Sequence, residues 1–177
     1  MLVLVLGDTH IYDRTYIFPK FLYKWIEKAD QVWHTGDVTS EEFYDELKTV
    51  CGDKLKLVVG NGDSGSIVRE NPIEYIWEMY GYRIWLHHGH EYDLPRYDLR
   101  AMVSKAKEKE ADVCIFGHWH QPLSRKLSGV WLVNPGSTCD SKQFGVGGFA
   151  LLHFDEEYGM RVSIQTYDTS KLVPGKK

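Results

Sequence analysis

Five short clusters carry most of the side chains that could do chemistry. They are Gly7-Asp8-Thr9-His10, Gly36-Asp37, Gly60-Asn61-Gly62-Asp63, His87-His88-Gly89-His90 and Gly117-His118-Trp119-His120. Their polar members are Asp, Asn and His, the oxygen and neutral-imidazole donors that hard and borderline divalent cations take. Such donors are here in greater number than one ion needs. A carboxylate can bridge two ions, and hydrolytic two-metal sites hold their ions about 3.5–4 Å apart. The i, i+2 spacing of Asp8 with His10, and of His118 with His120, lets two side chains of one short loop reach a common cavity. Glycines beside these residues would let the backbone turn sharply out of a strand.

The elements that must position the clusters are legible around them. Residues 2–6 are continuously apolar, as in a strand buried on both faces. Phe18, Phe21, Leu22, Trp25, Ile26 and Ala29 follow helical spacing, with Pro19 placed in the first turn. Strands are predicted over 31–35 and 55–59. Between them Thr39 and Glu42 form a capping-box pattern ahead of Phe43, Leu47 and Val50. Residues 1–60 thus read β-α-β-α-β, which predicts a parallel sheet with right-handed crossovers. Hairpins follow: 73–79 with 82–86 about Tyr80-Gly81, 123–127 with 130–133 about Ser128-Gly129, and 148–154 with 160–167 about 157–159. Leu99, Met102, Val103 and Ala106 mark a helix, and 113–116 a further buried strand. The expected architecture is α/β (α+β): two mixed sheets face to face with helices outside, a four-layer αββα sandwich. Each cluster follows a predicted strand, and ligands in open α/β sheets gather outside the carboxyl ends of strands. Five clusters at five strand ends imply one shared site.

Composition narrows the setting. The chain has 177 residues, read as a single domain over 1–172 with a flexible tail over 173–177. Its 21 Lys and Arg against 25 Asp and Glu give a net charge of −4, so strong non-specific nucleic-acid binding is not expected. Cys51, Cys114 and Cys139 are far apart and form no CxxC pair; they read as inert core thiols in a reducing compartment. No apolar run approaches the ~20 residues needed to span a bilayer, so no membrane association is expected and the cytoplasm is the expected location. Aromatic residues, among them Trp77, Trp85 and Trp131, would allow a homodimer interface.

The ordered set GDTH, GD, GNGD, HHGH and GHWH is similar to the calcineurin-like metallophosphoesterase superfamily. The chain resembles its small stand-alone phosphodiesterase branch, whose relatives include the non-enzymatic retromer scaffold subunit. The NPGS segment at 134–137 also resembles that branch. This resemblance implies a metallophosphoesterase-type fold. It implies that Asp8, His10, Asp37 and His120 hold one metal, and that Asp37, Asn61, His88 and His118 hold the other, with Asp37 bridging. Mn²⁺ is the first expectation for both ions, with Ni²⁺, Co²⁺, Fe²⁺ and Zn²⁺ as alternatives. The implied activity is hydrolysis of a small phosphodiester or nucleotide by a metal-bridging hydroxide. The alternatives are a phosphomonoesterase or nuclease using the same site, or a protein-binding scaffold. Asn61 and His90 would bind substrate, His90 contacting phosphate or assisting the leaving group. Asp63 would orient a ligand or a water.

Two positions depart from the pattern. Many superfamily enzymes carry a His where this chain has Gly62. Acid catalysis is typically worth about 10²–10⁴-fold, so its absence favours diesters with good leaving groups. Trp119 stands where Thr is usual and reads as a packing residue or a cleft wall. His34, His153 and, less strongly, His87 read as structural histidines, and Arg96 and Arg100 as surface residues.

Overall fold

In the computed structural model, which describes residues 1–11, 17–92, 97–139, 145–169 and 172, strand β1 (Leu2–Leu6) is buried on both faces. Leu4 and Leu6 face helices, while Val3 and Val5 face a second sheet. That double burial is why its sequence lacks polar alternation. The chain continues through α1 (Lys20–Lys28), β2 (Gln31–His34), α2 (Glu41–Cys51), a 3₁₀ turn (Gly52–Lys54), β3 (Leu55–Leu57) and α3 (Gly65–Glu70). Then come β4 (Glu74–Met79), β5 (Tyr82–His87), α4 (Leu99–Glu108), β6 (Val113–Phe116), β7 (Leu123–Leu127), β8 (Val130–Asn134), β9 (Val146–Asp155) and β10 (Gly159–Asp168).

Among the described residues the strands form two five-stranded sheets, ordered β10-β9-β1-β2-β3 and β4-β5-β6-β8-β7. β1, β2 and β3 run parallel, as do β5, β6 and β8, and antiparallel strands flank both sets. Three apolar layers separate four structural layers. Leu22, Ile26, Phe43, Leu47 and Ile67 bring the first three helices onto the outer face of the first sheet. Val3, Val5, Trp33, Ile84, Leu86, Ile115 and Leu152 fill the space between the sheets. Met102, Val103 and Ala106 of α4 cover Trp85, Cys114, Phe116 and Leu132 on the far side. This is the αββα sandwich with two mixed sheets.

Register matters most for the site. Leu6 of β1 pairs with His34 of β2, which pairs with Leu57 of β3. In the second sheet His87 of β5 pairs with Phe116 of β6. The carboxyl ends of these parallel strands are therefore level, and the clusters that follow them emerge along one edge. Had one strand slipped by a residue, its apolar set would have changed faces.

Two hairpin turns carry Tyr80 and Gly81 at φ 52° and 75°, and Ser128 and Gly129 at 51° and 92°. Positive φ at both central residues is what a type I′ turn requires. Elsewhere details differ from the sequence reading. β2 and β3 end earlier than 35 and 59, although Val58 still donates its N–H to the His34 carbonyl. Pro19 is the N-cap of α1 rather than a residue of its first turn. The six-residue α3, too short for a periodic signal, is absent from the sequence reading. The cap of α2 is Ser40, whose Oγ accepts the Phe43 N–H at 3.2 Å. Thr39 cannot be that cap: it has φ 68°, its N–H goes to Asp63 and its hydroxyl donates to the Ile11 carbonyl. Trp85 is fully buried, Trp77 meets Trp33 edge-on at 4.9 Å, and Trp131 packs against the inter-sheet layer, so these rings serve the interior. Arg96 and the tail at 173–177 lie outside the described residues, and Arg100 is exposed on α4.

Ser40→Ala is expected to lower stability by about 1 kcal/mol, the usual worth of an N-cap. Urea unfolding should show a lower midpoint at unchanged slope; an unchanged midpoint would remove Ser40 from the capping role.

Candidate metal centre

The backbone turns out of the strands at the candidate ligands themselves. Asp8, His10, Asp37, His118 and His120 have φ of 47°, 46°, 58°, 63° and 58°. Asp and His are among the non-glycine residues that tolerate this left-handed region best. Of the flanking glycines, Gly36 and Gly89 have positive φ, at 94° and 110°. Gly7, Gly60 and Gly117 serve differently from the sequence reading. A Cβ at Gly7 would overlap the Thr35 hydroxyl, and one at Gly60 would overlap the Asp37 carboxylate. At Gly117 it would crowd both Thr35 and Asp8. These glycines let the loops touch.

Ligand atoms of Asp8, His10, Asp37 and His120 lie within 4.8 Å of one another, and all four residues are buried. His120 Nε2 is 3.2 Å from Asp8 Oδ1, and His10 Nε2 is 3.4 Å from Asp37 Oδ2. The same Asp37 oxygen is 3.5 Å from His88 Nε2, which is 3.2 Å from Asn61 Oδ1. The His118 ring lies beside that of His88, with centroids 5.2 Å apart. Asp37 thus stands between two donor groups. Its other oxygen, Oδ1, accepts the Gly62 N–H at 2.7 Å, which fixes the carboxylate plane.

The chemistry of the donors tests whether cations fit. His88 Nδ1 lies 2.7 Å from the Thr35 carbonyl, which can only accept, so Nδ1 carries a proton. A neutral ring then presents a lone pair on Nε2 to two oxygen acceptors. Acceptors facing one another repel unless a cation lies among them, so this donor set suits a divalent ion. Metal-ligating histidines characteristically give the other ring N–H to a carbonyl or carboxylate, as His88 does. Burial pushes the Asp8 carboxyl up. In the metal-free protein the His120 hydrogen bond and the nearby rings of His88, His120 and His10, where these are protonated, outweigh it and hold Asp8 below the usual carboxylate range.

Beneath these residues lies a hydrogen-bonded frame. Asp63 accepts three backbone N–H groups, from Asp37 at 2.9 Å, Thr39 at 2.9 Å and Gly60 at 2.8 Å, so it ties the second cluster to the third. His34 Nδ1 accepts the Gly36 N–H at 3.1 Å, which leaves the proton on Nε2, 3.4 Å from the Thr9 hydroxyl. Asn134 donates to the Gly117 carbonyl at 2.8 Å, and Ser137 donates to the Asp8 carbonyl at 2.6 Å. The NPGS segment thereby splints the first and fifth clusters. The roles of Thr35, Asn134, Ser137 and Glu91 are not legible in the sequence. The sequence signals are the NPGS resemblance for Asn134 and Ser137 and, for these two and Thr35, a position at or just beyond a strand end.

His90 stands at the rim with its side chain 31% exposed, its ring 5.2 Å from that of His88 and 6.2 Å from that of His118. His87 is fully buried, stacked on Trp85 at 3.7 Å, with Nε2 3.4 Å from Cys114 Sγ; burial holds its pKa low. Trp119 is buried against Phe116 and Tyr97, and the Tyr97 hydroxyl donates to its carbonyl at 3.3 Å. It packs, and it anchors the loop between His118 and His120. Residues 93–96 of the loop beside Tyr97 lie outside the described residues.

A two-sheet αββα fold with a His/Asp/Asn cluster at its strand ends defines a class of metal-centred α/β proteins. Residues 1–157 match the family model of the calcineurin-like phosphoesterase superfamily domain, and the chain belongs to that superfamily. It is 36% identical over 137 residues to a probable metallophosphoesterase of Methanothermobacter thermautotrophicus, covering 77% of each chain. It is 37% identical over 142 residues to the vacuolar protein sorting-associated protein 29 of Schizosaccharomyces pombe, covering 77% of this chain and 72% of that one. Its fold is that of wild-type Vps29 complexed with Zn²⁺ from Entamoeba histolytica, with TM-score 0.78 at 24% identity, covering 96% of this chain and 100% of that one. No helix among the described residues is long and apolar enough to cross a membrane.

Burial drives the pKa of His34 from 6.5 down to about 3. Between those values the unfolded chain binds a proton that the folded chain does not, so stability falls as pH falls. The slope contributed is at most about 1.4 kcal/mol per pH unit. Urea unfolding of metal-free protein at several pH values should show this slope reduced in His34→Gln. An identical pH dependence in both proteins would contradict a buried neutral His34.

Proposed function

We propose that this protein is a divalent-metal-dependent phosphodiesterase acting on a small phosphodiester or nucleotide. The observation that carries the reading is the Asp37 carboxylate. One oxygen is pinned by a backbone N–H, and the other faces a histidine from each of two donor groups. A shared carboxylate between two nitrogen-bearing groups is what a two-metal hydrolytic centre needs. Asp8, His10, Asp37 and His120 would hold one ion, and Asp37, Asn61, His88 and His118 the other. When bound, the ions would supply an acidified water and positive charge against the phosphoryl oxygens. Mn²⁺ is the first ion to test, and the mixed oxygen–nitrogen donor set also suits Ni²⁺, Co²⁺, Fe²⁺ and Zn²⁺.

The remaining work falls to the chain's own side chains. Asn61 and the partly exposed His90 would meet the substrate, His90 at the phosphate or the leaving oxygen. Asp63 acts as a positioning residue, because backbone N–H groups already occupy its oxygens. Gly62 supports diester over monoester chemistry. No imidazole stands there to protonate a poor leaving group, and a Cβ at that position would sit 3.1 Å from Thr39 Cγ2. A net charge of −4 disfavours a polynucleotide substrate.

The test is hydrolysis of a chromogenic aryl phosphodiester and of the matching monoester by protein stripped with chelator and reloaded with Mn²⁺. Diester turnover that disappears with chelator is the expected result. Monoester turnover alone would make the protein a phosphatase. Turnover of neither, with metal bound, would favour a protein-binding scaffold, a reading the kinship with vacuolar protein sorting-associated protein 29 keeps in view.

Asp37→Asn keeps an oxygen for the Gly62 N–H and a residue type that tolerates positive φ. It is expected to abolish diester turnover and to lower bound metal from two ions to one or none. Wild-type turnover in this variant would exclude Asp37 as the bridge.

A further inference from the structure

Glu91 follows the fourth cluster directly and belongs to none of the donor groups. Its side chain is 10% exposed, in a place where a carboxylate needs partners. Oε1 accepts the His88 N–H at 3.1 Å and Oε2 accepts the Gly89 N–H at 2.6 Å. The same Oε2 is 3.7 Å from Nδ1 of the buried His87 and 3.7 Å from Nδ1 of His90. One carboxylate therefore closes the turn over residues 88–91 on itself. Gly89, at φ 110°, supplies the bend that lets two successive N–H groups converge on it.

The consequence lies in His88. His88 is held at two places: its ring Nδ1 by the Thr35 carbonyl and its backbone N–H by Glu91. Asp8 and His10 are held by other means, through the Gly36 and Asp37 carbonyls, the His118 N–H and the NPGS splint, while the loop that carries His120 meets the His88 carbonyl through the Gly117 N–H at 3.0 Å. We propose that Glu91 is a positioning residue for one half of the centre, setting the direction of His88 and of the neighbouring His90, while Asp8 and His10 of the other half have supports of their own. The inference rests on the two-metal reading and makes its two halves depend unequally on Glu91.

Partners of this kind around a metal ligand are worth about 10–100-fold in metal affinity. Calorimetric titration of chelator-stripped protein with Mn²⁺ alone, without substrate, reads both ions. In Glu91→Ala the ion assigned to Asp37, Asn61, His88 and His118 should bind about 10–100-fold less tightly, with a clearly smaller change at the other ion. Glu91→Gln keeps one acceptor oxygen and should show a smaller loss falling mainly on the same ion. It also stands in if the alanine variant does not fold. Wild-type affinity for both ions in these variants would overturn the inference alone. Equal weakening of both ions would also overturn it, by making Glu91 a general support of the fold. A wild-type protein that binds fewer than two Mn²⁺ would overturn the two-metal reading and the inference with it.

Discussion

The structure turns on lone pairs that face one another. Asp8, His10, Asp37, His88 and His120 point oxygens and nitrogens toward a shared buried space that bulk water screens little, with the exposed Asn61 at its edge. Left to itself such a cluster would spread apart, since electrostatic interactions strengthen as the local dielectric falls. It stays together because each donor grows from a strand end that the sheet register has already levelled with its neighbours. The apolar layers that hold the two sheets together therefore also hold the donors, and Val3, Val5, Ile84 and Ile115 serve the site without touching it.

The second requirement is local strain. Five of the donors sit at positive φ, a cost on the order of 1 kcal/mol each for a non-glycine residue. Together that is roughly 5 kcal/mol, a large share of the 5–15 kcal/mol that stabilises a typical domain. Asp63 with its three backbone donors, His34 between Thr9 and Gly36, and Asn134 and Ser137 across the first and fifth clusters keep the loops in that state. The glycines at 7, 60 and 117 contribute by leaving room, so that one loop can lie against the next. A frame of this kind arranges the donors before any ion arrives, so binding energy is not spent on ordering them.

Kinship places the chain among proteins whose names span a probable metallophosphoesterase and a vacuolar protein sorting-associated protein. One fold can serve both ends, because the sheets need only the apolar layers while the chemistry lives in the loops at one edge. What supports catalysis here is the site and not the fold: each donor position expected from the motifs is filled by a residue able to ligate, and the neighbouring polar groups are spent on aiming those donors.

Much of this was readable from the linear chain, and for a physical reason. Strand β1 announces itself because burial on two faces demands an unbroken apolar run, and the hairpins because Tyr80-Gly81 and Ser128-Gly129 suit a turn that needs positive φ. The candidate metal donors are legible because Asp, Asn and His recur beside glycine immediately after apolar runs. The supports are different. Thr35 offers only a backbone carbonyl, Ser137 a hydroxyl 129 residues from its partner Asp8, and Glu91 looks like any surface acid beside a turn. The capping residue of α2 is Ser40 rather than Thr39 because Thr39 sits at φ 68°, outside the extended conformation of a cap, with its hydroxyl turned to the Ile11 carbonyl. Sequence by itself determined which residues can ligate and which segments must be buried, since both follow from side-chain type and periodicity. Tertiary structure decided which backbone groups aim them, because a hydrogen bond between loops exists only once the register of two sheets has brought those loops to one edge.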